Sequence, residues 1–211
     1  MIRILAASSL PLTLGELERL ATSPEQDALA ETTTSAVAAF FRERLDFYLR
    51  EVLGYSYDVT KAVLAAGADD VADAIARAQA LTAVRASDAE GHVAAISAAF
   101  KRIQNILRQG REKGEGYDTA AVADSLVEPE ERALYDRLAA VAPEVEAMAA
   151  KRRYTEALER IATLRPVVDA FFDKVMVMAP DAALRRNRLS LIAEVQRRFS
   201  SIADFSEIVA S

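Results

Sequence analysis

The sequence predicts an almost wholly helical protein. Apolar residues recur mostly at steps of three and four, alanine is abundant, and the 211 residues include only 7 glycines and 6 prolines. This combination favours helix over sheet. Hydrophobic residues make up 52% of the chain, which is enough to form a sizeable core. We therefore expect an all-α helical bundle preceded by a smaller helical segment.

The first elements are expected to be short. Residues from Ile2 to Leu5 form one, and the pair Thr13 and Glu16 has the spacing of a capping box that opens a helix through Leu20. The polar, threonine-rich residues 21–34 are predicted to form a loop or a weak turn.

A long amphipathic helix is expected from Ser35 onwards. Its apolar stripe comprises Val37, Phe41, Leu45, Tyr48 and Val52. Gly54 is placed to end this helix. Asp58 can cap a short helix that runs to Gly67.

Two further helices and a loop are predicted in the middle of the chain. Asp69 or Asp70 is expected to open the first, and Ser87 with Glu90 forms a second capping box that opens the next. Residues 110–117 contain three glycines and four charges, which predicts a mobile loop.

The last third of the chain is expected to contain four helices. Pro129 suits the first turn of one of them, and Pro143 is expected to break or restart it. Three more are predicted over residues 154–164, 166–178 and 181–199. The apolar side chains at the end of the second are interpreted as core, and they are Phe171, Phe172, Met176 and Met178.

Two domains are expected: a helical segment over residues 1–68 and a helical bundle over residues 69–211. No Gly/Ser-rich or Pro-rich linker separates them. We therefore expect the two parts to pack closely.

The net charge of −6 conceals two basic segments. Residues 1–100 carry 8 basic and 14 acidic side chains, and residues 114–150 carry 2 and 9. By contrast, residues 101–113 carry 5 basic and 1 acidic, and residues 151–211 carry 11 and 8. Local potential governs the attraction of phosphate more than net charge does. A fold that brings the two basic segments together would therefore present a basic patch on an acidic protein.

Several kinds of site are excluded by residue type. The chain has no cysteine and a single histidine, His92, so it offers neither a thiolate metal site nor the histidine cluster of a metal-dependent His-Asp hydrolase. The phosphate-loop, GxSxG and HExxH motifs are absent. We expect no catalytic residues and no metal site in this chain. No run of eighteen apolar residues or export signal occurs, so we expect no membrane segment and a cytoplasmic protein.

The first basic segment offers candidate contacts to an anionic polymer. Lys101, Arg102, Asn105 and Arg108 lie on the arc opposite the apolar stripe of their helix. Lysine and arginine bind phosphate, and an asparagine amide offers both a donor and an acceptor to a base edge. Alternatively, Arg102 pairs with acids on a neighbouring helix and Asn105 braces a helix end.

The second basic segment invites the same interpretation. Three arginines in the first turns of a helix are unfavourable for its dipole, so another interaction must favour them. For Arg185, Arg186 and Asn187 we consider phosphate contact, and for Arg188 we favour a buried pairing with Asp169 or Asp173.

A third candidate cluster adds aromatic rings to basic side chains. Lys151, Arg152 and Arg153 precede Tyr154 directly, and Tyr117 lies in the predicted glycine-rich loop. Both tyrosines are interpreted as candidates to stack on bases.

Five strings in this chain resemble, in order, the beta subunit of the bacterial two-subunit glycyl-tRNA synthetase. They occupy residues 40–66 (FFRERLDFYLREVLGYSYDVTKAVLAA), 101–107 (KRIQNIL), 126–131 (LVEPEE), 154–178 and 184–189 (LRRNRL). The resemblance implies a C-terminal fragment that carries the DALR-type anticodon-binding bundle. Relative to the Asp-Ala-Leu-Arg tetrad that names this domain, residues 181–185 contain one extra alanine.

The resemblance also implies a function and partners. We expect recognition of the anticodon region of tRNA(Gly) in support of aminoacylation, with the alpha subunit as a partner and no DNA or membrane contact. The separate alpha subunit would use the ATP, so this chain would need no cofactor. The alternative is a helical module that docks another protein subunit without binding RNA. Only RNA binding should weaken steeply with salt.

Overall fold

The computed structural model describes residues 2–7, 13–16, 27–88, 91–117 and 120–209. Within them it contains helices and no β-strand, which confirms the all-α prediction. The α-helices are α1 (Ile2–Ala7), α2 (Asp27–Phe47), α3 (Tyr57–Ala65), α4 (Val71–Ser87), α5 (His92–Glu112), α6 (Pro129–Ala149), α7 (Tyr154–Ala162), α8 (Arg165–Lys174) and α9 (Ala182–Phe199). A π-helical turn at Tyr48–Val52 continues α2, and 3-10 turns lie at Ala123–Ser125 and Phe205–Glu207. No helix of the described ranges has the length and apolar character needed to cross a membrane.

The predicted capping box at the start of the chain is confirmed. The Thr13 N–H donates to the Glu16 carboxylate at 2.9 Å, and the Glu16 N–H donates to the Thr13 hydroxyl at 3.1 Å. The rest of the helix predicted through Leu20 lies outside the described residues. The same segment is tied to the residues before α4, because the Leu14 N–H donates to the Asp69 carbonyl at 2.9 Å.

The long helix α2 starts earlier than the sequence suggested. It begins at Asp27, so the loop predicted over residues 21–34 is wrong for residues 27–34, while residues 21–26 lie outside the described ranges. No glycine or proline occurs between residues 25 and 53, and a threonine costs a helix only a few tenths of a kcal/mol. A polar composition alone was therefore not enough to stop this helix.

The π-helical turn changes which side chains α2 buries at its end. Phe41 and Leu45 are buried as predicted, but the next buried position is Leu49, and Val52 is 43% exposed. An i to i+5 turn adds a residue to the helical repeat and so rotates the following side chains. Gly54 ends the turn with a φ of +76°, the left-handed backbone that glycine favours.

Helix starts were predicted with mixed success. Asp70 is the N-cap of α4, with its carboxylate accepting from the Asp73 N–H at 2.9 Å. The N-cap of α3 is Ser56 rather than Asp58. Asp58 is instead buried, and its carboxylate accepts hydrogen bonds from Arg85 and from the distant Val209 N–H.

The second capping box, at Ser87 and Glu90, is wrong. Helix α4 continues through Ser87, whose hydroxyl donates back to the Val84 carbonyl at 3.1 Å, and Glu90 lies outside the described residues. Gly91 is the N-cap of α5, and the Asp88 carboxylate accepts from the first N–H groups of the helix, those of His92 and Val93, at 2.8 and 2.7 Å.

The two prolines of α6 behave differently. Pro129 occupies the first turn, as predicted, next to a capping box formed by Glu128 and Glu131. The expected break at Pro143 is wrong, because α6 continues to Ala149. Pro143 and Ala139, whose carbonyl loses its intrahelical donor, are both exposed, so water can satisfy that carbonyl.

The last three helices lie where they were predicted, with slightly shorter bounds. Phe171 and Phe172 are buried core residues as expected, whereas Met176 is 68% exposed in the loop that leads to α9. Helix α5 runs through Glu112, so the predicted loop starts at Lys113 rather than at residue 110.

One continuous core extends through the described chain. Helix α7 packs on α4 and α6, and α9 packs on α5 and α6. Contacts cross the boundary expected at residue 68, since the Arg77 guanidinium donates to the carbonyls of Val63, Gly67 and Ile202 at 3.1, 2.6 and 3.2 Å. The division into residues 1–68 and 69–211 stays a prediction.

The C-terminal residues 202–208 lie between α3 and α5. The Asp204 N–H donates to the Ala62 carbonyl of α3 at 2.9 Å. From α5, the Ser97 hydroxyl donates to the carbonyls of Phe205 and Ile208 at 3.0 and 2.7 Å. This segment therefore forms a fixed wall beside the α5–α9 pair.

Candidate functional site

Helices α5 and α9 bring the two basic segments together. They meet at Gly110, where an added Cβ would lie 3.3 Å from Leu189 Cδ1 and 3.4 Å from Tyr117 Cε1. The absence of a side chain at Gly110 thus allows the last turns of α5 to lie close to the first turns of α9. The fold thus places the first basic segment against the α9 part of the second.

Four predicted contact residues lie along α5, and two of them make structural contacts. The Lys101 ammonium donates to the Ile208 carbonyl at 2.7 Å. Arg102 lies over the Phe172 ring, 4.4 Å from its centroid, rather than against acidic side chains as the alternative supposed. Asn105 and Arg108 are exposed, and the Arg108 guanidinium donates to the Asn105 amide oxygen at 3.2 Å.

At the start of α9, the neighbouring side chains of Arg185 and Arg186 have different surroundings. Asp181 is the N-cap, as predicted, and accepts from the Leu184 N–H at 2.8 Å. The Arg185 guanidinium pairs with Glu115 at 2.6 Å and donates to the Ala179 carbonyl at 2.7 Å. It therefore connects the loop after α5 with the segment before α9. Arg186 is exposed, with no carboxylate within 4 Å in the described part of the chain.

Asn187 and Arg188 are buried by the fold. The Asn187 amide accepts from the Val122 N–H at 2.7 Å and donates to the Val122 carbonyl at 3.1 Å, which leaves it no free edge for a base. Arg188 is in a buried pairing, as favoured, but the partner is Glu131 of α6. The pairing with Asp169 or Asp173 is wrong because Arg188 faces α6; Asp169 pairs instead with Arg165 at 3.5 Å.

The predicted group at residues 151–154 lies beside the start of α4. Lys151 is exposed, and the Arg152 guanidinium donates to the Asp70 carboxylate at 2.6 Å. The Tyr154 ring is buried and its hydroxyl donates to Asp73. Burial, followed by this hydrogen bond, raises the pKa of the Tyr154 hydroxyl.

Stacking of bases on Tyr117 and Tyr154 is not supported, because both rings are buried. The Tyr117 hydroxyl donates to the Leu107 carbonyl at 2.9 Å, and its ring fills the space beside Gly110. The guanidinium carbon of Arg111 lies 5.5 Å from the centroid of that ring. Tyr117 thus supports a basic side chain instead of presenting its own face.

Arg111 and Arg197 are candidate residues that the sequence interpretation missed. They line opposite sides of a groove of about 310 Å³ between α5 and α9, which Gln196, Ser200 and Asp204 also line. Both arginines are exposed, and within the described ranges neither has a carboxylate within 4 Å. We call this cavity the α5–α9 groove.

Helical spacing connects Arg186 to the groove. Arg197 follows it by eleven residues and Ala193 by seven, so all three lie on one face of α9. Ala193 lines the groove as well. This spacing is the signal that could have identified Arg197 from the sequence.

Four exposed arginines therefore lie on the α5–α9 pair. Arg108 and Arg111 are one turn apart on α5, and Arg186 and Arg197 share a face of α9. We call these four residues the arginine surface. Guanidinium groups without carboxylate partners form a local site of positive potential even on an acidic protein.

The all-helical fold and the arginine surface together define a helical domain suited to binding a polyanion. Residues 96–208 match the protein family described as "DALR anticodon binding domain". This match covers more than half of the chain, and the chain belongs to that family. All of α9 and nearly all of α5 lie inside the matched region.

Whole-chain relatives agree with the family match. The "Glycine--tRNA ligase beta subunit" of Acidobacterium capsulatum is 55% identical over 215 residues, which covers 100% of this chain and 30% of that protein. The protein of the same description from Acidithiobacillus ferrooxidans is 38% identical over 99% of this chain and 30% of its own length. That from Moorella thermoacetica is 43% identical over 81% of this chain and 23% of its own.

The chain spans about 30% of the length of the first two relatives and corresponds to their C-terminal part. The resemblance stated from the sequence strings is thereby confirmed.

Proposed function

We propose that this chain recognises the anticodon region of tRNA(Gly) as the anticodon-binding domain of a glycine–tRNA ligase beta subunit. The family match supports the class of ligand, and the arginine surface on α5 and α9 supports its place on the fold. The domain would act in the cytoplasm on RNA rather than DNA, in support of the ATP-dependent aminoacylation carried out by an alpha subunit.

The exposed cations would hold the RNA backbone. Each arginine of the arginine surface can neutralise one phosphate and release counterions. Asn105, already paired with Arg108 at 3.2 Å, would place an amide next to that backbone and read a base edge. An anticodon loop suits such a site because its bases are unstacked and accessible.

The other predicted residues divide into two roles. Lys101, Arg102, Arg185, Asn187 and Tyr154 would position the helices, since their polar groups contact other parts of the chain. Lys151 is exposed and Arg152 half-exposed beside Asp70, so these two would supply a second, weaker phosphate contact.

Recognition by binding assigns no catalytic residue to this chain. Correct anticodon contact would position the acceptor end of the tRNA at the alpha subunit. In a complete ligase, deletion of this domain should therefore lower tRNA charging and leave adenylate formation unchanged. Full charging by the deleted enzyme would contradict the proposal.

A binding titration tests the proposal on the chain as it is. We expect tRNA(Gly) to bind more tightly than a version with altered anticodon bases, and log Kd to rise steeply with log salt concentration. Binding that is equal for both tRNAs would show that the anticodon is not read. Absence of binding by either tRNA would reject the RNA function altogether.

A second candidate function is docking of another protein subunit. Exposed apolar side chains near the start of the chain favour it, because Ile4, Phe40, Phe47 and Val52 are 65, 50, 57 and 43% exposed. Such a face would bind with little dependence on salt. Salt-insensitive complex formation with an alpha subunit, together with no RNA binding, would favour this alternative.

A further inference from the structure

We propose that the α5–α9 groove holds one unstacked nucleobase of the bound RNA, with Arg111 and Arg197 at its rim. The inference rests on the proposed function and adds to it the place where a base is read. It needs a cavity of suitable size, polar groups that match a base edge, and walls that are fixed before binding.

The size of the groove suits a small planar group. Its volume of about 310 Å³ lies at the lower end of the range for small-molecule sites. Phe100, Tyr117 and Phe205 contribute apolar lining from the buried side. The two arginines approach from the exposed side, where the backbone of an RNA strand would run.

The polar lining matches a base better than a phosphate. Asp204 accepts from the Ser206 N–H and hydroxyl through Oδ1 at 3.0 and 2.6 Å, and no hydrogen bond from the described residues reaches its Oδ2. A carboxylate repels phosphate but accepts hydrogen bonds from the amino group or ring N–H of a base. Gln196 and Ser200 add groups that both donate and accept.

The wall that carries Asp204 is held in place by contacts outside the groove. The Asp204 N–H donates to the Ala62 carbonyl, and the Ser97 hydroxyl donates to the Phe205 carbonyl. The rings of Phe100 and Phe205 also pack together, with centroids 5.0 Å apart. A site whose walls are already ordered loses less conformational freedom when it binds.

Arg197 and Arg198 provide a direct internal comparison. Arg198 pairs with Glu146 at 3.0 Å and with Glu194 at 3.2 Å. Its neighbour Arg197 lines the groove and has no carboxylate partner in the described part of the chain. Both arginines lie in the last turn of α9, where a cation complements the helix dipole, so the difference between them is that Arg197 lines the groove with its guanidinium unpaired by a carboxylate.

The test uses a set of tRNA(Gly) anticodon stem-loops in which each loop base in turn is replaced by an abasic residue. With the unaltered chain, we expect removal of one particular base to raise Kd by about 5- to 100-fold, as loss of one base contact does. Removal of the other bases should have smaller effects. Equal binding of the intact loop and of every abasic loop would overturn both the groove proposal and the proposed reading of the anticodon. Dependence on one base that does not change when the groove is filled would overturn the groove proposal alone and leave the proposed function standing.

Two variants then test whether that base binds in the α5–α9 groove. Arg197→Gln removes one rim cation, and Ala65→Trp fills the groove from an exposed position at the end of α3. In Ala65→Trp, the critical abasic replacement should change Kd less than twofold, because the base has already lost its site. Arg197→Gln should weaken binding of the intact loop, because it removes a backbone contact beside that site.

Matched controls are Arg198→Gln and Ala86→Trp, the second at an exposed position of α4 outside the groove. Both should keep the full base dependence of the unaltered chain. If Ala65→Trp also kept it while remaining folded by circular dichroism, the base would bind elsewhere and the proposal would be wrong.

Discussion

Arg188 of α9 and Glu131 of α6 form an ion pair in which the two side chains are only 6% and 0% exposed. The other carboxylate oxygen of Glu131 accepts from the N–H groups of Val127 and Glu128 at 2.6 and 2.8 Å. The Glu131 carboxylate thus satisfies N–H groups at the start of α6 and also holds α9, the helix that carries two of the four residues of the arginine surface.

Loss of this carboxylate should strongly destabilise the fold. Glu131→Ala leaves the Arg188 guanidinium buried without its counter-charge, and removal of one partner of a buried pair costs about 3–5 kcal/mol. Urea denaturation measures the free energy of unfolding. The control is Glu146→Ala, which breaks an exposed pair with Arg198 and should cost less than about 1 kcal/mol. Equal losses for the two variants would contradict this account.

Stability should also depend on the ionisation of Asp58. Burial raises the pKa of this carboxyl, but hydrogen bonds from Ser56 and from the Val209 N–H, together with the charge of Arg85, outweigh burial and lower it. A carboxyl whose pKa is lower when folded stabilises the protein above its unfolded pKa of about 3.9. That contribution is lost as the pH falls through the folded value.

Asp58→Asn should therefore unfold more easily than the unaltered chain at pH 7 and show a smaller further loss at pH 3. Urea curves at both pH values measure the difference. Asp136→Asn, at an exposed position of α6, is the control and should leave the pH dependence unchanged. An unaltered pH dependence in Asp58→Asn would reject the role of this carboxylate.

Replacing Gly110 with a larger residue should destabilise the fold. A Cβ there already meets Leu189 at 3.3 Å, so Gly110→Leu overpacks the contact between α5 and α9 and should cost about 1–3 kcal/mol. A Cβ added at Gly116 would meet nothing within 4 Å, which makes Gly116→Leu a matched control. Thermal melts of the two variants should differ by several degrees, and equal melting temperatures would argue against close helix contact at Gly110.

Neighbouring arginines at the start of α9 should have different effects. Arg186 is exposed and makes no ion pair with the described residues, so Arg186→Gln should weaken tRNA binding, lower the slope of log Kd against log salt by about one, and keep the melting temperature. Arg185 joins Glu115 to the Ala179 carbonyl, so Arg185→Gln should lower the melting temperature. The interpretation fails if Arg186→Gln leaves the salt slope unchanged.

Features set by local chemistry were predictable from the sequence. The caps at Asp70 and Asp181 and the first-turn position of Pro129 depend on residues only a few positions apart. The charge pattern also identified the two segments that meet at α5 and α9. Local patterns failed where two signals competed, as at Pro143, where the helix continues through a residue that usually ends one.

The roles of individual basic residues were not predictable, because they depend on partners far along the chain. Arg188 meets Glu131 across 57 positions, and Asn187 meets Val122 across 65. Neither partner is marked by spacing or composition. The spacing of Arg186, Ala193 and Arg197 could have placed Arg197 on the same helix face, but the groove itself also needs residues 203–205, whose position the sequence does not show.

The anchoring of residues 202–208 between α3 and α5 matters for handling the protein in the laboratory. Trimming the last ten residues would uncover the inner surface of α5 and remove one side of the groove. Affinity handles, fluorophores and surface-immobilisation chemistry should therefore be attached away from residues 202–208.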